Sequence, residues 1–136
     1  MKIKIIKYND NIKLPFRAHH NDAGADCFAP DNVTINPNET VCIGLGFGVC
    51  LPDGFALFPY GRSSLAKAGL VHHLPPIDSG YTGEIHVLIT NTTNERYEIK
   101  KDDKICQLLL LPIITPEFVE NLGDERGNGG FGSTGK

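Results

Sequence analysis

The last eleven residues, RGNGGFGSTGK, have the composition of a segment that wraps around a phosphate-containing ligand. Glycine lets successive backbone N–H groups turn inward around an anion, and Phe131 supplies one flat apolar surface. This combination predicts a ligand with phosphates at one end and a ring at the other. A flexible glycine-rich tail that binds nothing is equally compatible with these residues taken alone.

A second candidate phosphate site lies at Gly61-Arg62-Ser63-Ser64. Arginine offers a planar charged fork to a phosphate, and serine hydroxyls with the free N–H groups of a helix start add further donors. The alternative is a short helix that is capped by Ser63 or Ser64 and carries an arginine on its surface.

The segment PPIDSGYTGEI contains the residues best suited to handle water and a sugar. It is predicted to form a hairpin that leads into a strand. Asp78 can orient a water molecule and Tyr81 can stack against a sugar ring. An acidic residue beside an aromatic one is also common in ordinary turns, so the pair is suggestive rather than specific.

Gln107 is a polar residue inside the apolar stretch ICQLLLLP. Burying an unpaired amide costs free energy, so Gln107 should have a specific partner, either backbone or ligand. Asp26 lies between small residues at the edge of a predicted strand, a pattern that turn-forming aspartates also have. Asp103 and Lys104 are interpreted as part of a turn.

Length and composition indicate one domain in a reducing compartment. The chain has 136 residues and a formal net charge of −3, which disfavours a general nucleic-acid binder. Its apolar runs are too short to span a bilayer, and the N-terminus lacks a signal-peptide core. The four cysteines have no C-x-x-C spacing and are predicted to be buried free thiols. We therefore expect a cytoplasmic protein without nucleic-acid or membrane partners.

Short β-prone segments recur along the chain, whereas helix signals are nearly absent. Strands are predicted at 2–8, 33–35, 40–44, 55–59, 84–91, 97–99 and 105–111, and one helix at 63–68. Ile85, Val87 and Ile89 alternate onto one face of their strand. The pattern predicts an all-β sandwich, jelly roll or barrel with one short helix. Apolar residues almost cease after position 122, so a domain of residues 1–122 and an arm of residues 123–136 are expected.

Five segments together resemble the motifs of a known enzyme family. In order and spacing, AGADCFA, GRSSLAKAGL, IDSGYTGEI, DDKICQLLLLP and RGNGGFGSTG are similar to the five motifs of the trimeric dUTP diphosphatases. The resemblance implies a distorted jelly-roll subunit with a mobile glycine-rich C-terminal arm, and a homotrimer with shared active sites. It also implies Mg²⁺-dependent hydrolysis of dUTP to dUMP and pyrophosphate by water attack at the α-phosphate. That reaction limits uracil in DNA and supplies dUMP for thymidylate synthesis.

The resemblance assigns roles by position. Asp78 matches the catalytic aspartate that orients water, and Asp26 matches an aspartate that supports the metal indirectly, through water. Tyr81 lies where a tyrosine under the deoxyribose leaves no room for a 2′-hydroxyl. Arg126 matches the arginine that reaches the terminal phosphate, and Phe131 the ring that closes over uracil. The other implied substrate-binding residues are Arg62, Ser63, Ser64, His72, Ile77, Gln107, Gly132, Ser133 and Thr134.

Some positions depart from the common pattern of the family. Gly61 stands where a proline is usual, and His72 stands about where an asparagine often helps to form the uracil pocket. Pro75-Pro76 replaces a more glycine-rich approach to the catalytic strand. Two alternatives stay open: a related dCTP deaminase or bifunctional enzyme, with Glu84 as its acid/base, and a non-catalytic trimer that binds nucleotide.

Overall fold

The computed structural model describes residues 1–123, and in this part the chain forms strands with one short helix. The strands are β1 (Lys4–Lys7), β2 (Ala25–Phe28), β3 (Val33–Ile35), β4 (Thr40–Gly44), β5 (Phe47–Cys50), β6 (Phe55–Tyr60), β7 (Leu70–His73), β8 (His86–Asn91), β9 (Tyr97–Ile99) and β10 (Lys104–Pro112). The helix, α1, spans Ser63–Lys67 and lies between β6 and β7. The prediction of an all-β chain with one short helix is confirmed.

Antiparallel pairing arranges these strands in four small sheets. Two of them have three strands, in the orders β2-β10-β6 and β4-β8-β7, and two are the pairs β1-β5 and β3-β9. Because all the pairs are antiparallel and most join strands distant in the sequence, the chain crosses repeatedly between the sheets. β10 is the longest strand and pairs along both of its edges, which makes it the centre of its sheet.

The hydrophobic core lies between these sheets. On β8, Val87 and Ile89 are fully buried together with the preceding Ile85, while His86 on the opposite face is exposed. This confirms the alternation predicted from the sequence. The largest fully buried side chains elsewhere include Phe47, Ile35 and Ile105.

Every predicted strand is present, most within one or two residues of the expected ends. Two further strands, β5 and β7, were not predicted, and β2 was expected only as a strand with Asp26 at its edge. They are four residues long and contain alanine, glycine or adjacent histidines, which are weak strand signals. Their pairing with β10, β1 and β8 gives them the strand conformation, so the neighbours outweigh the local propensity.

The expectation that Ser63 or Ser64 caps the helix is wrong. Arg62 is the N-cap residue, with extended backbone angles of φ −95° and ψ 149°, and no side chain caps it. Its carbonyl accepts the first helical hydrogen bonds, from the N–H groups of Leu65 and Ala66. Both serine hydroxyls therefore remain on the exposed first turn.

The expectation that all four cysteines are buried is only half right. All four are free; Cys27 and Cys106 are buried, but Cys42 is exposed and Cys50 is half-buried. Cys42 is exposed because it lies on the outer face of β4. At the buried pair, a hydrogen bond with Cys106 and burial both raise the pKa of the Cys27 thiol, which therefore stays protonated.

No helix among the described residues has the length and apolar character that a membrane crossing requires. Residues 124–136 lie outside the described part of the chain, so the division into a domain of residues 1–122 and an arm of residues 123–136 stays a prediction.

Asn91 is a fully buried polar side chain at the end of β8. Its Nδ2 donates to the carbonyl oxygens of Ile35 and Glu95, at 2.9 and 2.8 Å. Its Oδ1 accepts from both the backbone N–H and the hydroxyl of Thr93, at 3.0 and 2.8 Å. Asn91 thus joins the end of β3 to the turn between β8 and β9.

Replacing Asn91 by leucine should destabilise the fold. The change keeps a similar volume but leaves several buried backbone groups without partners, which should lower the free energy of unfolding by about 3 kcal/mol. Urea denaturation measures this. The same substitution at Asn94, an exposed residue of the same turn, should change it by less than about 0.5 kcal/mol. Equal losses at the two positions would contradict the linking role of Asn91.

Candidate active site

Three charged side chains meet beside the N-terminus of α1 and form what we call the phosphate corner: Asp26, Arg62 and Lys104. Nε of Arg62 lies 3.3 Å from Oδ1 of Asp26, and Nζ of Lys104 lies 3.3 Å from Oδ2. The Asp26 side chain is only 16% exposed, whereas those of the two cations are 33% and 38% exposed. The three groups sum to one positive charge at a partly open position, which suits an anion.

Gln107 connects this corner to the sheet. In β10 it lies opposite Asp26 of β2 and opposite Tyr60 of β6. Its Nε2 donates to the carbonyl oxygen of Gly61 at 3.1 Å, so the specific partner expected from the sequence is backbone. A Cβ on Gly24 would lie 2.7 Å from Oε1 of Gln107, so only glycine leaves room for this amide. The amide therefore fixes the residue that precedes Arg62.

The predicted hairpin does not form within residues 75–85; Asp78 lies in the loop that joins the antiparallel strands β7 and β8, a connection we call the hairpin. Backbone contacts hold it in place. The N–H and carbonyl groups of Ile77 exchange hydrogen bonds with Leu57, at 2.9 and 3.1 Å. The N–H of Tyr81 donates to the carbonyl of Asp78 at 3.0 Å, which closes a turn. Asp78 is exposed within a cavity of about 250 Å³ that Ile77, Tyr81 and Glu84 also line. A fixed, accessible carboxylate of this kind can orient water or bind a hydroxyl group.

Tyr81 is held flat against the turn that follows it. Its hydroxyl donates to the carbonyl of Glu84 at 2.7 Å, and its ring packs against Gly83, where any Cβ would overlap it. The side chain is still 45% exposed. One face of the ring is thus available for stacking against a flat or cyclic ligand.

The Glu84 carboxylate is bound to the protein itself. Its Oε2 accepts from the backbone N–H of Gly46 at 2.8 Å, and its Oε1 lies 3.6 Å from Nε2 of His86. A Cβ on Gly44 would come within 2.6 Å of the same carboxylate. Glu84 therefore anchors the hairpin to the segment between β4 and β5.

His72 does not line the cavity that contains Asp78. From β7 its Nε2 lies 2.7 Å from the carbonyl oxygen of Ile105, and its ring packs beside Gly61. Burial lowers the pKa of His72 from its usual 6.5; the hydrogen bond to Ile105 opposes this, and the neighbouring His73 adds to it. Among the neutral tautomers, the one with Nε2 protonated donates to this carbonyl.

In the described part of the chain, the predicted site residues fall into two groups that line separate cavities. Arg62, Ser64 and Lys104 line a cavity of about 320 Å³ at the phosphate corner, and Asp78 and Tyr81 line the other. The two cavities share no lining residue. Ser63 lies exposed beside the first group and Ile77 lies in the second. Arg126, Phe131, Gly132, Ser133 and Thr134 lie outside the described residues.

Sequence reasoning missed three residues that shape these groups. Lys104 was interpreted as part of a turn, but it begins β10 and pairs with Asp26. Glu84 was considered only as an acid/base, and Tyr8 was not considered. The Tyr8 hydroxyl donates to the carbonyl of Thr82 at 2.6 Å and so ties the N-terminal strand to the hairpin. The one available signal was the proximity of Lys104 to Gln107, since β10 brings both beside β2.

Comparison with known proteins identifies the family. A family model described as dUTPase matches residues 10–135. The chain belongs to the dUTPase family. The deoxyuridine 5′-triphosphate nucleotidohydrolase of Nautilia profundicola is 42% identical over 142 residues, across the full length of both chains. That of Clostridium kluyveri is 41% identical over 141 residues and 99% of each chain.

Solved dUTPase structures share the fold. A mutant dUTPase of phage phi11 of S. aureus, described with a structural Mg(II) ion, has a TM-score of 0.83 at 26% identity, covering 90% of this chain and 99% of its own. A mutant dUTPase of Staphylococcus bacteriophage 80alpha, in complex with dUpNHpp, has a TM-score of 0.82 at 26% identity, covering 90% and 98%. The jelly-roll-like β fold expected from the motifs is therefore confirmed.

The residues of this dUTPase fit an Mg²⁺ ion that arrives with a phosphate ligand better than a dedicated metal cage. No group of three or more His, Cys, Asp or Glu residues within 1–123 could hold a metal ion. Asp26 is the carboxylate of the phosphate corner, and both of its oxygens already face cations. Magnesium commonly keeps several waters and binds through substrate phosphates and one or two carboxylates, which matches this donor set.

The stability of this dUTPase should depend on His72 at mildly acidic pH. Because the pKa of His72 is lowered in the folded state, the unfolded chain takes up the proton first as the pH falls below 6.5. The stability that neutral His72 adds to the free energy of unfolding is thus fully present above pH 6.5 and decreases as the pH falls below it. We expect His72→Asn to flatten the acid side of the curve of unfolding free energy against pH.

The neighbouring His73 provides the control, because it is exposed and, within residues 1–123, its Nε2 bonds to the hydroxyl of Thr90. Chemical denaturation at a series of pH values should give His73→Asn the acid slope of the unmodified chain. Superimposable curves for the two variants would show that His72 does not contribute this slope.

Proposed function

We propose that this chain hydrolyses dUTP to dUMP and pyrophosphate, with Asp78 orienting the attacking water. The observation that supports it most directly is the hairpin of Asp78 and Tyr81. There an accessible carboxylate and a half-exposed ring line one cavity on a rigid turn. The family relationship supplies the substrate, since the relatives are named deoxyuridine 5′-triphosphate nucleotidohydrolases.

Asp78 would act as the base toward water. The carboxylate accepts a proton while the water oxygen forms a bond to the α-phosphorus, and the bond from that phosphorus to the bridging oxygen breaks. Pyrophosphate then leaves with the electron pair of that bond. A positioned base of this type contributes about 10²–10⁴-fold to a rate. Asp78 is suited to the role because its hairpin is fixed by Ile77 and Tyr81 rather than by the carboxylate itself.

Phosphate binding would fall to the residues at the phosphate corner. Within residues 1–123 Arg62 contacts Asp26 through Nε, which leaves its terminal nitrogens available for a ligand. Ser63 and Ser64 present hydroxyls that are not used as helix caps, and Gln107 fixes the backbone that precedes Arg62. Phosphoryl transfer depends mainly on positioning and charge stabilisation, so cations and short donors are the groups required.

Selectivity for a deoxynucleotide would come from Tyr81 and the hairpin. The ring is held by its hydroxyl and by Gly83, so it cannot swing away to admit a 2′-hydroxyl. Ile77 lines the same cavity and would contact the nucleoside. Arg126 would bind the terminal phosphate and Phe131 would cover the uracil, with Gly132, Ser133 and Thr134 along the phosphates; these roles rest on the motif resemblance alone.

We expect Mg²⁺ to bind with the triphosphate, with Asp26 contributing through water. The ion would neutralise phosphate charge and hold the chain of phosphates in one conformation. Lys104 and Arg62 keep Asp26 in place for this purpose. The cytoplasmic location expected from the sequence stays a prediction.

Complete sites would form between neighbouring copies in a homotrimer. The water-orienting residues and the phosphate corner line separate cavities of the described chain, and a site shared between neighbouring chains would unite them. The segment after β10 also carries large apolar side chains at the surface: Ile114 is 90% exposed and Phe118 is 91% exposed. Apolar groups this exposed are typical of surfaces that another chain covers.

The dCTP deaminase alternative is disfavoured by the contacts of Glu84. A deaminase needs a carboxylate aimed at the amino group of cytosine, but Glu84 accepts from Gly46 and lies beside His86. The non-catalytic alternative is kept as an outcome of the tests. A role beyond hydrolysis is described for the dUTPase of bacteriophage 80alpha, which controls transfer of virulence genes.

The unmodified chain should form dUMP and pyrophosphate from dUTP far faster than it hydrolyses dCTP, dTTP or UTP. Asp78→Asn should reduce dUMP formation by about 10²–10⁴-fold, because the amide cannot accept the proton from water. Chromatography of the nucleotide products, with Mg²⁺ present, measures both effects. Ammonia release from dCTP would instead support the deaminase.

Asp31→Asn is the matched control, since Asp31 is exposed and lines neither of the two cavities. It should leave dUMP formation unchanged. An Asp78→Asn variant with full activity would rule out Asp78 as the general base. An unmodified chain that binds dUTP but does not hydrolyse it would instead support the non-catalytic alternative.

Mixed oligomers test the shared site. Arg62→Ala and Asp78→Asn should each abolish most activity, but co-expression of the two variants should restore about a quarter of the sites, because random assembly pairs the intact Asp78 of one chain with the intact Arg62 of another. The rate of dUMP formation by the purified mixture measures this recovery.

The control is a mixture of Asp78→Asn with the double variant Arg62→Ala/Asp78→Asn, in which no site contains Asp78. It should stay inactive. If the first mixture is no more active than its components, each site lies within one chain and the shared-site model fails.

A further inference from the structure

Two departures from the common family pattern, Gly61 and His72, lie against each other. A Cβ placed on Gly61 would be 2.7 Å from Nδ1 of His72, 3.1 Å from Cγ and 3.3 Å from Cε1. Distances under about 3 Å are shorter than non-bonded heavy atoms tolerate, so no side chain at position 61 is compatible with the observed ring. The imidazole therefore occupies the space that the missing side chain leaves.

The ring cannot easily move away, because its other side is bound. Nε2 of His72 lies 2.7 Å from the carbonyl oxygen of Ile105. Ile105 is the extra residue of a β-bulge, since Lys104 pairs with Phe28 and Cys106 pairs with Cys27. A bulge interrupts the backbone ladder. The imidazole thus supplies a partner for a main-chain oxygen at this break in the ladder.

Both contacts of His72 lead to the phosphate corner. Gly61 directly precedes Arg62 and accepts the amide hydrogen bond of Gln107 at 3.1 Å. Ile105 directly follows Lys104, whose ammonium group lies 3.3 Å from Asp26. The ring is therefore wedged between the two segments that carry the cations of the corner.

We propose that His72 is a positioning residue for the phosphates: it holds the Gly61-Arg62 backbone and the β10 bulge at a fixed separation, and it takes no part in reading the base. This role rests on the proposed hydrolysis of dUTP and assigns His72 to the other end of the substrate from the one its sequence position implies. Gly61 is required for this arrangement, because only glycine at position 61 leaves room for the His72 ring.

The geometry disfavours a role in the base pocket. His72 is absent from the lining of the cavity that Asp78 and Tyr81 form. Along β7 its side chain and that of His73 lie on opposite faces, and His73 is the one that faces outward and contacts Thr90. A base-reading histidine and a phosphate-positioning histidine make opposite predictions for ligands that lack one end of the substrate.

Inhibition by two partial ligands distinguishes the roles. Inorganic pyrophosphate carries only the phosphates, and deoxyuridine carries only the base and sugar. For His72→Ala, we expect the inhibition constant of pyrophosphate to rise by up to roughly tenfold, because the loosened corner must be ordered again on binding and the lost hydrogen bond bounds that cost at about this factor. That of deoxyuridine should stay unchanged. The rise should be smaller for His72→Gln, whose amide N–H can still donate to the Ile105 carbonyl.

His73→Ala is the matched control and should change neither constant. A rise for deoxyuridine with none for pyrophosphate would return His72 to the base pocket and overturn the proposal. A rise for both ligands together with a lower melting temperature, unrescued by glutamine, would show a merely structural histidine and would also overturn it.

Substitution at Gly61 tests the packing of the ring independently. Gly61→Ala in the unmodified chain should raise the pyrophosphate constant roughly tenfold, whereas Gly61→Ala added to His72→Ala should cause no further rise, because the obstructing ring is gone. Equal effects in both backgrounds would disprove the coupling. If Gly61→Ala does not fold, recovery of folding in the double variant supports the coupling and continued misfolding contradicts it.

The positioning role of His72 can be tested separately from the proposed hydrolysis of dUTP. If the unmodified chain forms no dUMP, titration calorimetry with pyrophosphate and deoxyuridine replaces the inhibition constants. A selective loss of pyrophosphate affinity in His72→Ala then still supports the positioning role, while unchanged affinity refutes it whatever the activity of the chain.

Discussion

The pairing of β10 along both of its edges is the constraint on which the site depends. One edge pairs with β2 and so places Gln107 opposite Asp26; the other pairs with β6, which leads directly to Gly61 and Arg62. A shift of one residue in either pairing would turn Gln107 to the opposite face of the sheet. The bulge at Ile105 adds a local break in this register. The functional polar groups are thus set by an apolar strand, whose buried Ile105, Cys106 and Leu108 fix its place in the core.

The charge at the phosphate corner follows from the same arrangement. The protein as a whole carries a formal charge of −3, yet at this point one carboxylate, Asp26, lies between two cations. The local excess of one positive charge attracts an anion, while Asp26 holds Arg62 and Lys104 in place when no anion is present. A negative protein can therefore bind a highly charged ligand without a broad basic surface, because the cations are concentrated where the strands converge.

The sequence was sufficient for the fold class and for the strands with clear alternation, such as residues 84–91. It failed for short strands rich in glycine, alanine or histidine, because their conformation comes from neighbours distant in the chain. The need of Gln107 for a partner was predictable, since an amide in an apolar strand must be satisfied. The ion pair of Lys104 was not, because its carboxylate belongs to a strand near the other end of the chain. The roles of the residues after 123 stay predictions.

The positions of Gly61 and His72 show why a motif cannot be judged one residue at a time. Considered separately, a glycine in place of proline loosens a loop, and a histidine in place of asparagine alters a base pocket. In the fold the two are neighbours, and the ring takes up the room that the glycine leaves while it bonds to the carbonyl of the bulge. The loss of stiffness expected from glycine is then offset by packing from another strand. A departure from a family pattern is therefore informative only together with the side chain that contacts it, and sequence order alone does not reveal which one that is.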